Sequence, residues 1–414
     1  MDVVAAFLHP EIDDVDIYIT LPEGWPEGSN APKIVVRLRK ALYGLKHAPH
    51  LSHDDINAFL LSLGFTQSSA DPNVYLRSDS ILILLYVDDI SMSYLEAATN
   101  AAIEVKTKLS KKYKITNLGP AHQFLGIEIH RNDTRIILGQ KAYIATILRR
   151  FGMESTHGAS MSMDPNVKLN MAEDRGEQEL EDITDYQAVV GSLMYAALAT
   201  RPDISYVVAA LSRYNSRPFT SHMTAAKRVL QFLKSTANFR LHFTCNGIGI
   251  GIGIDIDIGN NLVRYSDSDW ANDSADRKSQ GDHVFLATNG AVSWQSRKQS
   301  LIGMSTLESE FLACSEASRE ATWLLQLQKD IHGKDLPLLP INCDNQGALT
   351  FITTGIIKAQ TKHIDVCYHI SRDLQRRRIV NYSYVNTNKN VADILTKAPT
   401  KDNHTKFTKG MGLW

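Results

Sequence analysis

Residues 81–94 read ILILLYVDDISMSY. Seven apolar or aromatic positions lead into a pair of aspartates, Asp88 and Asp89, and a second short run follows with serine at alternate positions. Two strand-like halves flanking turn-forming residues predict a β-hairpin with both carboxylates at its tip. Working outward, DVVAAFL (2–8), DIYITL (16–21) and KIVVRLRKAL (33–42) are short apolar runs, and FLGIEIHR (124–131) with RIILGQ (135–140) makes a second candidate strand pair. Residues 143–151 have helical spacing, so a mixed α/β domain over residues 1–150 is expected.

Residues 151–185 change character, with Ser, Gly, Pro and the acidic stretch EDRGEQELEDITD (173–185), and are expected to be a solvated linker. Residues 186–246 are helical in pattern, with Leu193, Ala197, Val207, Leu211, Val229, Leu230 and Phe232 among the apolar positions. The tract GIGIGIGIDIDIGN (247–260) has Ile at alternate positions, as a strand would, but the glycines between them weaken it, and a loop-like insert is expected. From 261 to 414 the pattern is strand LVRYSDSDW (262–270), strands HVFLATN (283–289) and AVSWQS (291–296), a helix over 305–331, strand LPINCDN (339–345), a helix, strand IVNYSYV (379–385) and a last helical stretch from 392. Strands followed by alternating helices predict a mixed sheet flanked by helices.

At 414 residues the chain is long for a single domain, and 43% hydrophobic with 21% charged residues is an ordinary globular composition. The formal net charge of -1 does not advertise nucleic-acid binding, so any such reading must rest on local charge. Cys245, Cys314, Cys343 and Cys367 form no CxxC pair, which argues against a zinc ribbon or a secreted disulfide framework and fits a reducing compartment. The start MDVVAAFLHPEIDD lacks a signal-peptide pattern, and no run of about 18 apolar residues occurs. A cytoplasmic or nuclear protein, neither secreted nor bound to a membrane, is expected.

Adjacent aspartates at a turn repel one another and gain little from folding; alone they are a common turn feature. Their chemistry becomes specific if divalent metal neutralises them, because phosphoryl transfer uses two ions about 3.5–4 Å apart held by carboxylates. The company they keep points that way. MDVVAAFLH (1–9), PEGW (22–25), LRKALYGLKHAP (38–49), LLSLGFTQSSADPNVY (60–75), YVDD (86–89) and FLGIEI (124–129) occur in order. Together they closely resemble the reverse transcriptase palm of copia-type LTR retrotransposon Pol polyproteins. The resemblance implies that Asp2, Asp88 and Asp89 hold two Mg²⁺ (or Mn²⁺) ions. It also implies nucleic-acid contacts for Tyr86, for Lys46 in the template- and nucleotide-facing YGLKHAP, and for Leu125 and Gly126 as primer grip. There are departures. The family continues upstream of this Asp into a fingers subdomain, so the chain is expected to be an N-terminally truncated palm with Asp2 on a fraying end. The family's Lys-Thr after DV falls in DVVAAF, and its Arg-Gln-Trp after AP reads His50-Leu51-Ser52.

A second set of acids lies on four separate predicted elements: Asp267 in a strand, Glu310 in a helix, Asp344 at a strand end and Asp393 at a helix start. Singly each has a plain structural explanation; Asp393, for one, suits the positive end of its helix. Glu308 and Glu310 lie about 200° apart around the helix, so only one faces the site. As an ordered set, YSDSDWA, RKS, SWQSRKQ, STLESE, EASREATWL, CDNQGA, TKHIDVCYH and VADILTK resemble the copia-type RNase H domain across residues 262–414. That resemblance implies that Asp267, Glu310, Asp344 and Asp393 are catalytic and bind two Mg²⁺ (or Mn²⁺) ions. The family's RKSTSGYVF stands here as RKSQGDHVF, which is expected to shift a hairpin register locally.

His363, Asp365 and His369 are spaced unsuitably for zinc on one helix or strand face. Basic residues concentrate around them, among them Lys362, Arg376, Arg377 and Arg378, and a basic face for a hybrid backbone is expected. Trp270, Trp294 and Trp323 are assigned to the core. The fold expectation is therefore α/β throughout: a palm, a helical thumb or connection region, then an RNase H-like mixed sheet with flanking helices. The family activity is RNA-directed DNA synthesis on a primed RNA or DNA template with dNTPs, coupled to hydrolysis of the RNA strand of an RNA/DNA hybrid. Hybrid hydrolysis is the activity this chain is expected to keep, since all four acids are present. The alternative is a catalytically inactive, decayed element that at most binds nucleic acid.

Overall fold

The structure, a computed structural model, describes residues 1–12, 16–21, 35–132, 134–167, 169, 176–244, 262–271, 276–334, 338–355 and 369–414. The Gly/Ile tract and Lys362, His363 and Asp365 lie outside these residues. The chain divides into two units, the first built on Met1–Ala121 and the second on most of the chain from His122.

The first unit has strands β1 (Asp2–Val3), β2 (Tyr18–Thr20), β3 (Val35–Arg37), β4 (Thr66–Gln67), β5 (Val74–Arg77), β6 (Ile81–Tyr86), β7 (Asp89–Tyr94) and β8 (Ile115–Thr116). Strands β2 and β3 pair with each other; the rest form a six-stranded antiparallel sheet ordered β4-β5-β6-β7-β1-β8. The expected hairpin is β6–β7. Its aliphatic residues Ile81, Ile83, Leu85 and Ile90 pack under helices α1 (Ala48–Ser62) and α2 (Thr99–Lys112). Ala102, Val105 and Leu109 supply the i, i+3, i+7 stripe by which α2 seals that face. The same core takes in Val3, so β1 is held as an inner strand between β7 and β8 rather than fraying.

The second unit opens with β9 (Gln123–Phe124), β10 (Ile127–Asn132), β11 (Arg135–Gly139) and α3 (Lys141–Arg150). Sequence reading placed residues 122–150 with the first domain, but hydrogen bonding takes them elsewhere. Strand β11 pairs with β12 (Leu241–Thr244), completing a four-stranded sheet. Helix α3 packs into a core with α4 (Thr184–Ala199), α5 (Ser205–Ser212) and α6 (Thr220–Ser235) through Ile144, Leu193, Val208 and Leu230. The region expected to be a solvated linker contributes Met153 and Leu169 to that core. Its apolar residues anchor where its charge suggested solvent.

A five-stranded mixed sheet follows, made of β13 (Val263–Asp269), β14 (Gln280–Ala287), β15 (Gly290–Lys298), β16 (Leu339–Cys343) and β17 (Val380–Tyr384), in the order β15-β14-β13-β16-β17. The first three are antiparallel, while β16 and β17 run parallel to β13. This is the RNase H-like arrangement expected. Its helices are α7 (Thr306–His332), α8 (Gln346–Thr354), α9 (Ile370–Arg376), α10 (Asp393–Thr396) and α11 (Lys401–Gly410). Strand β14 is buried along its whole length because both faces are covered. Phe285 and Ala287 meet Phe311 and Ala317 of α7, whereas Val284 and Leu286 meet Ile394, Leu395 and Phe407. Pairing of β13 with β14 runs without interruption from Val263↔Leu286 to Asp269↔Gln280, whereas the β14–β15 register shifts between Phe285 and Leu286, at the end of the altered RKSQGDHVF segment. Of the tryptophans assigned to the core, Trp270 and Trp323 are instead exposed, and Trp270 donates through Nε1 to the Gly303 carbonyl at 2.8 Å.

Between α4 and α5, Arg201 and Asp203 form a fully buried pair at 2.7 Å, and Arg201 also donates to the Thr236 carbonyl and hydroxyl at the end of α6. Removing one partner strands a buried charge, which costs about 3–5 kcal/mol. Asp203→Ala is therefore expected to destabilise the chain by about 3 kcal/mol or more in urea denaturation. A loss below about 1 kcal/mol would contradict this account of the pair.

Candidate active sites

In the first unit, register brings Asp2 directly opposite Asp89. The Ile90 N–H donates to the Met1 carbonyl and the Val3 N–H to the Asp88 carbonyl, each at 2.8 Å. Asp2 and Asp89 thus form the non-hydrogen-bonded pair between these bonds, where side chains approach most closely. The hairpin turn puts Val87 at φ 57°, a conformation rare for a β-branched residue and of a kind that collects at functional turns. Asp89 is raised from the ordinary carboxylate range, first by burial and then by the charges of Asp88 and Asp2. Asp2, Asp88 and Asp89 are therefore brought together. Tyr86 stands exposed opposite Asp89, at the base of the turn, and Lys46 is exposed just ahead of α1.

Leu125 and Gly126 lie in the second unit, between β9 and β10, with φ 49° and 74°. The Leu125 carbonyl accepts a short hydrogen bond from the Tyr195 hydroxyl, and a Cβ on Gly126 would stand 2.6 Å from that hydroxyl oxygen. Tyr195 is in turn set edge-on against Tyr143. Backbone and neighbour both demand glycine. Gly126→Ala should lower stability by about 1–3 kcal/mol, with part of the loss recovered when Tyr195→Phe is added. Equal stability of Gly126→Ala and parent in chemical denaturation would refute this.

The second carboxylate group is assembled from four elements. Asp267, on β13, is buried; its Oδ2 accepts from the Thr396 hydroxyl at 2.7 Å and its Oδ1 from Asn390 Nδ2 at 3.4 Å. Glu310, in the first turns of α7, is also buried; its Oε1 accepts from the Ser268 N–H at 3.2 Å and its Oε2 from the Cys343 thiol at 3.7 Å. Glu308 instead serves the start of α7, accepting from the Met304 N–H at 2.8 Å while the Ser305 hydroxyl accepts from the Glu308 N–H. Asp344, half-buried, follows β16, where Asn345 caps α8. Asp393 opens α10 and is bonded at 2.5 Å to Lys397 Nζ.

The electrostatics follow from that crowding. Burial first, then Asp393, pushes Asp267 up to about 7, against the opposing Thr396 hydrogen bond. Burial and then Asp267 raise Glu310 well above the usual range. Ligand oxygens of Glu310 and Asp344 and the Cys343 sulfur all lie within 4.8 Å of one another. Its hydrogen bond with Cys314 and burial raise the Cys343 thiol well above its ordinary range, so Cys343 offers no thiolate to a cation. The remaining all-carboxylate set suits a hard divalent cation such as Mg²⁺ or Mn²⁺.

Residues 1–165 match the family model described as reverse transcriptase (RNA-dependent DNA polymerase). The chain is 34% identical over 411 residues to the Retrovirus-related Pol polyprotein from transposon TNT 1-94 of Nicotiana tabacum, covering 96% of this chain and 29% of that one. It is 33% identical to the corresponding polyprotein from transposon RE1 of Arabidopsis thaliana, covering 100% of this chain and 27% of that one. A transposon Ty5-1 protein of Saccharomyces cerevisiae is 32% identical and is covered over its full length by 77% of this chain. The chain belongs to the copia-type retrotransposon Pol family. It spans between a quarter and a third of the length of the plant polyproteins.

In this Pol-family chain the structure adds residues that sequence reasoning did not assign. Asn390, Thr396 and Lys397 surround Asp393 and Asp267, and their signal was present in NKNVADILTK, where Thr396 and Lys397 follow Asp393 by three and four positions. Asp282, opposite Asp267 across the sheet, is a further buried carboxyl. Of the predicted nucleic-acid contacts, Arg376, Arg377 and Arg378 are exposed at the end of α9, with Arg377 reaching Asp373 at 3.4 Å.

The raised Asp267 makes a signed prediction for the metal-free Pol chain. A carboxyl whose folded pKa lies above its unfolded value costs nothing below pH about 4; its cost grows as pH rises and is complete above about 7. In chelator, Asp267→Asn should gain stability relative to parent through that window, by roughly 4 kcal/mol at full effect. A difference that stays constant from pH 4.5 to 8 in urea denaturation would show that burial does not hold Asp267 protonated.

Proposed function

We propose that this segment carries two-metal phosphoryl-transfer chemistry, and that its second site hydrolyses the RNA strand of an RNA/DNA hybrid. The observation that carries the reading is that Asp267, Glu310, Asp344 and Asp393, from four different elements, lie near enough for Asp393 and Asp344 to raise Asp267 and for Asp267 and Asp344 to raise Glu310, with the Glu310 and Asp344 oxygens within 4.8 Å of each other. Thr396 and Asn390 orient Asp267, while the Ser268 N–H orients Glu310. Lys397 balances the charge of Asp393 through a direct ion pair. Asp344, the more open of the four, offers its carboxylate at the solvent side. Bound by this set, a pair of Mg²⁺ or Mn²⁺ ions would lower the pKa of a water and offset charge on the leaving 3′-oxygen. Exposed Arg376, Arg377 and Arg378 supply positive charge suited to a nucleic-acid backbone.

The cluster of Asp2, Asp88 and Asp89 supports the polymerase role of the family, with primed template and dNTPs as partners. Its rigid presentation in the middle of a sheet is the property such a site needs. The second site is the one on which the functional reading is tested. With Mg²⁺ or Mn²⁺, the purified chain is expected to cut a labelled RNA/DNA hybrid, and Asp344→Asn should reduce the rate at least a hundredfold with unchanged circular dichroism. A folded parent that shows no metal-dependent cleavage would instead support the decayed-element alternative.

A further inference from the structure

Asp282 stands directly opposite Asp267 in the antiparallel pairing of β13 and β14. Directly paired residues present their side chains on the same face of a sheet, within a few ångströms of each other. Short helix α10, which carries Asp393, covers that face: Leu395, Ile394 and the Ser296–Leu395 hydrogen bond of 2.6 Å fix it there. Asp282 is 3% exposed, and neither of its carboxyl oxygens has a hydrogen-bond partner among the described residues.

That is an unusual condition for a buried acid, since an unsatisfied buried polar group costs about 1–3 kcal/mol. The neighbouring donors are engaged elsewhere. Ser296, the cross-strand neighbour on β15, gives its hydroxyl to Leu395, and Gln280 gives its amide to Ser296. Thr396 and Asn390 donate to Asp267, and Lys397 donates to Asp393. Asp282 therefore faces acceptors already supplied with donors and has none of its own. Burial, together with the charges of Asp267, Glu310 and Asp393, drives its carboxyl well above the usual range. A hard divalent cation would satisfy such a group, because it binds carboxylate oxygens and offsets mutual repulsion in one step.

We propose that Asp282 is a fifth carboxylate of the second unit's metal site, binding the cation held by its cross-strand partner Asp267. The proposal rests on the reading of that cluster as a divalent-metal site. Cross-strand placement makes the fifth ligand a property of β14, separate from the four acids that the motif pattern supplies.

The test is binding of Mn²⁺ to the chelator-stripped full chain at pH 7.5, with free Mn²⁺ counted by electron paramagnetic resonance. Asp282→Asn and Asp282→Ser are compared with parent and with Asp267→Asn. Both Asp282 variants are expected to bind Mn²⁺ at least tenfold more weakly than parent. In chelator both should melt no lower than parent, because an orphaned acid has been removed. The two variants differ in volume, so a folding defect in one leaves the other to decide. If both keep Mn²⁺ affinity within twofold of parent while Asp267→Asn loses it, the metal site stands and the role of Asp282 is overturned. If the folded parent binds no Mn²⁺, the proposal and the reading it rests on fall together.

Discussion

Antiparallel register holds carboxylates together in this protein against their own repulsion. In the first unit β1 lies between β7 and β8, which fixes Asp2 across from Asp89. In the second, β13 and β14 pair without a break, which fixes Asp267 across from Asp282. Like charges directly opposite on a sheet destabilise it, so neither pairing stems from the acids themselves. It is imposed by the apolar residues on either side: Val3, Ile83 and Ile90 in one sheet, Phe285, Val284 and Ile341 in the other. A shift of one residue would turn Val3 and Ile90 away from their core, and in β14, covered on both faces, would exchange the residues packed on α7 with those packed on α10.

Helices and loops then supply the compensation. Serine at the start of α7 and glutamate three residues on build a cap, leaving Glu310, two positions further, to reach the Ser268 backbone. The segment leading into and through α10 delivers Asn390, Thr396 and Lys397 to Asp267 and Asp393 from residues that are otherwise core. The Thr396 hydrogen bond and the Lys397 charge oppose the rise in the Asp267 pKa without cancelling it, which leaves it at about 7. Holding these acids together is thus costly in the metal-free chain, and bound divalent cations would relieve that cost.

Much of this was legible in the chain. The hairpin bearing Asp88 and Asp89 follows from an aliphatic run, an acidic turn and a second strand, and the four acids of the second site sit on the elements their motifs imply. What escaped depends on contacts between residues far apart in sequence. Within residues 122–150, Arg135 to Leu138 pair with Leu241–Thr244, about a hundred positions away, so local pattern could not assign the segment to its unit. The acidic stretch before α4 read as linker because its charge dominates, while the isolated Met153 and Leu169 that anchor it carry no periodic signal. Asp282 was concealed for the same reason. Its neighbour across the sheet is set by strand pairing, and the register change suggested by RKSQGDHVF falls between β14 and β15, at Phe285/Leu286, rather than between β13 and β14.

The central claim is that the buried acids of the second unit are a divalent-metal site. Its most direct test is an anomalous difference map from a crystal of the chain soaked in Mn²⁺. Anomalous density is expected within coordination distance of Asp267, Glu310, Asp344 and Asp393. Manganese found only on exposed surface acids, with this cluster ordered and devoid of anomalous signal, would contradict it.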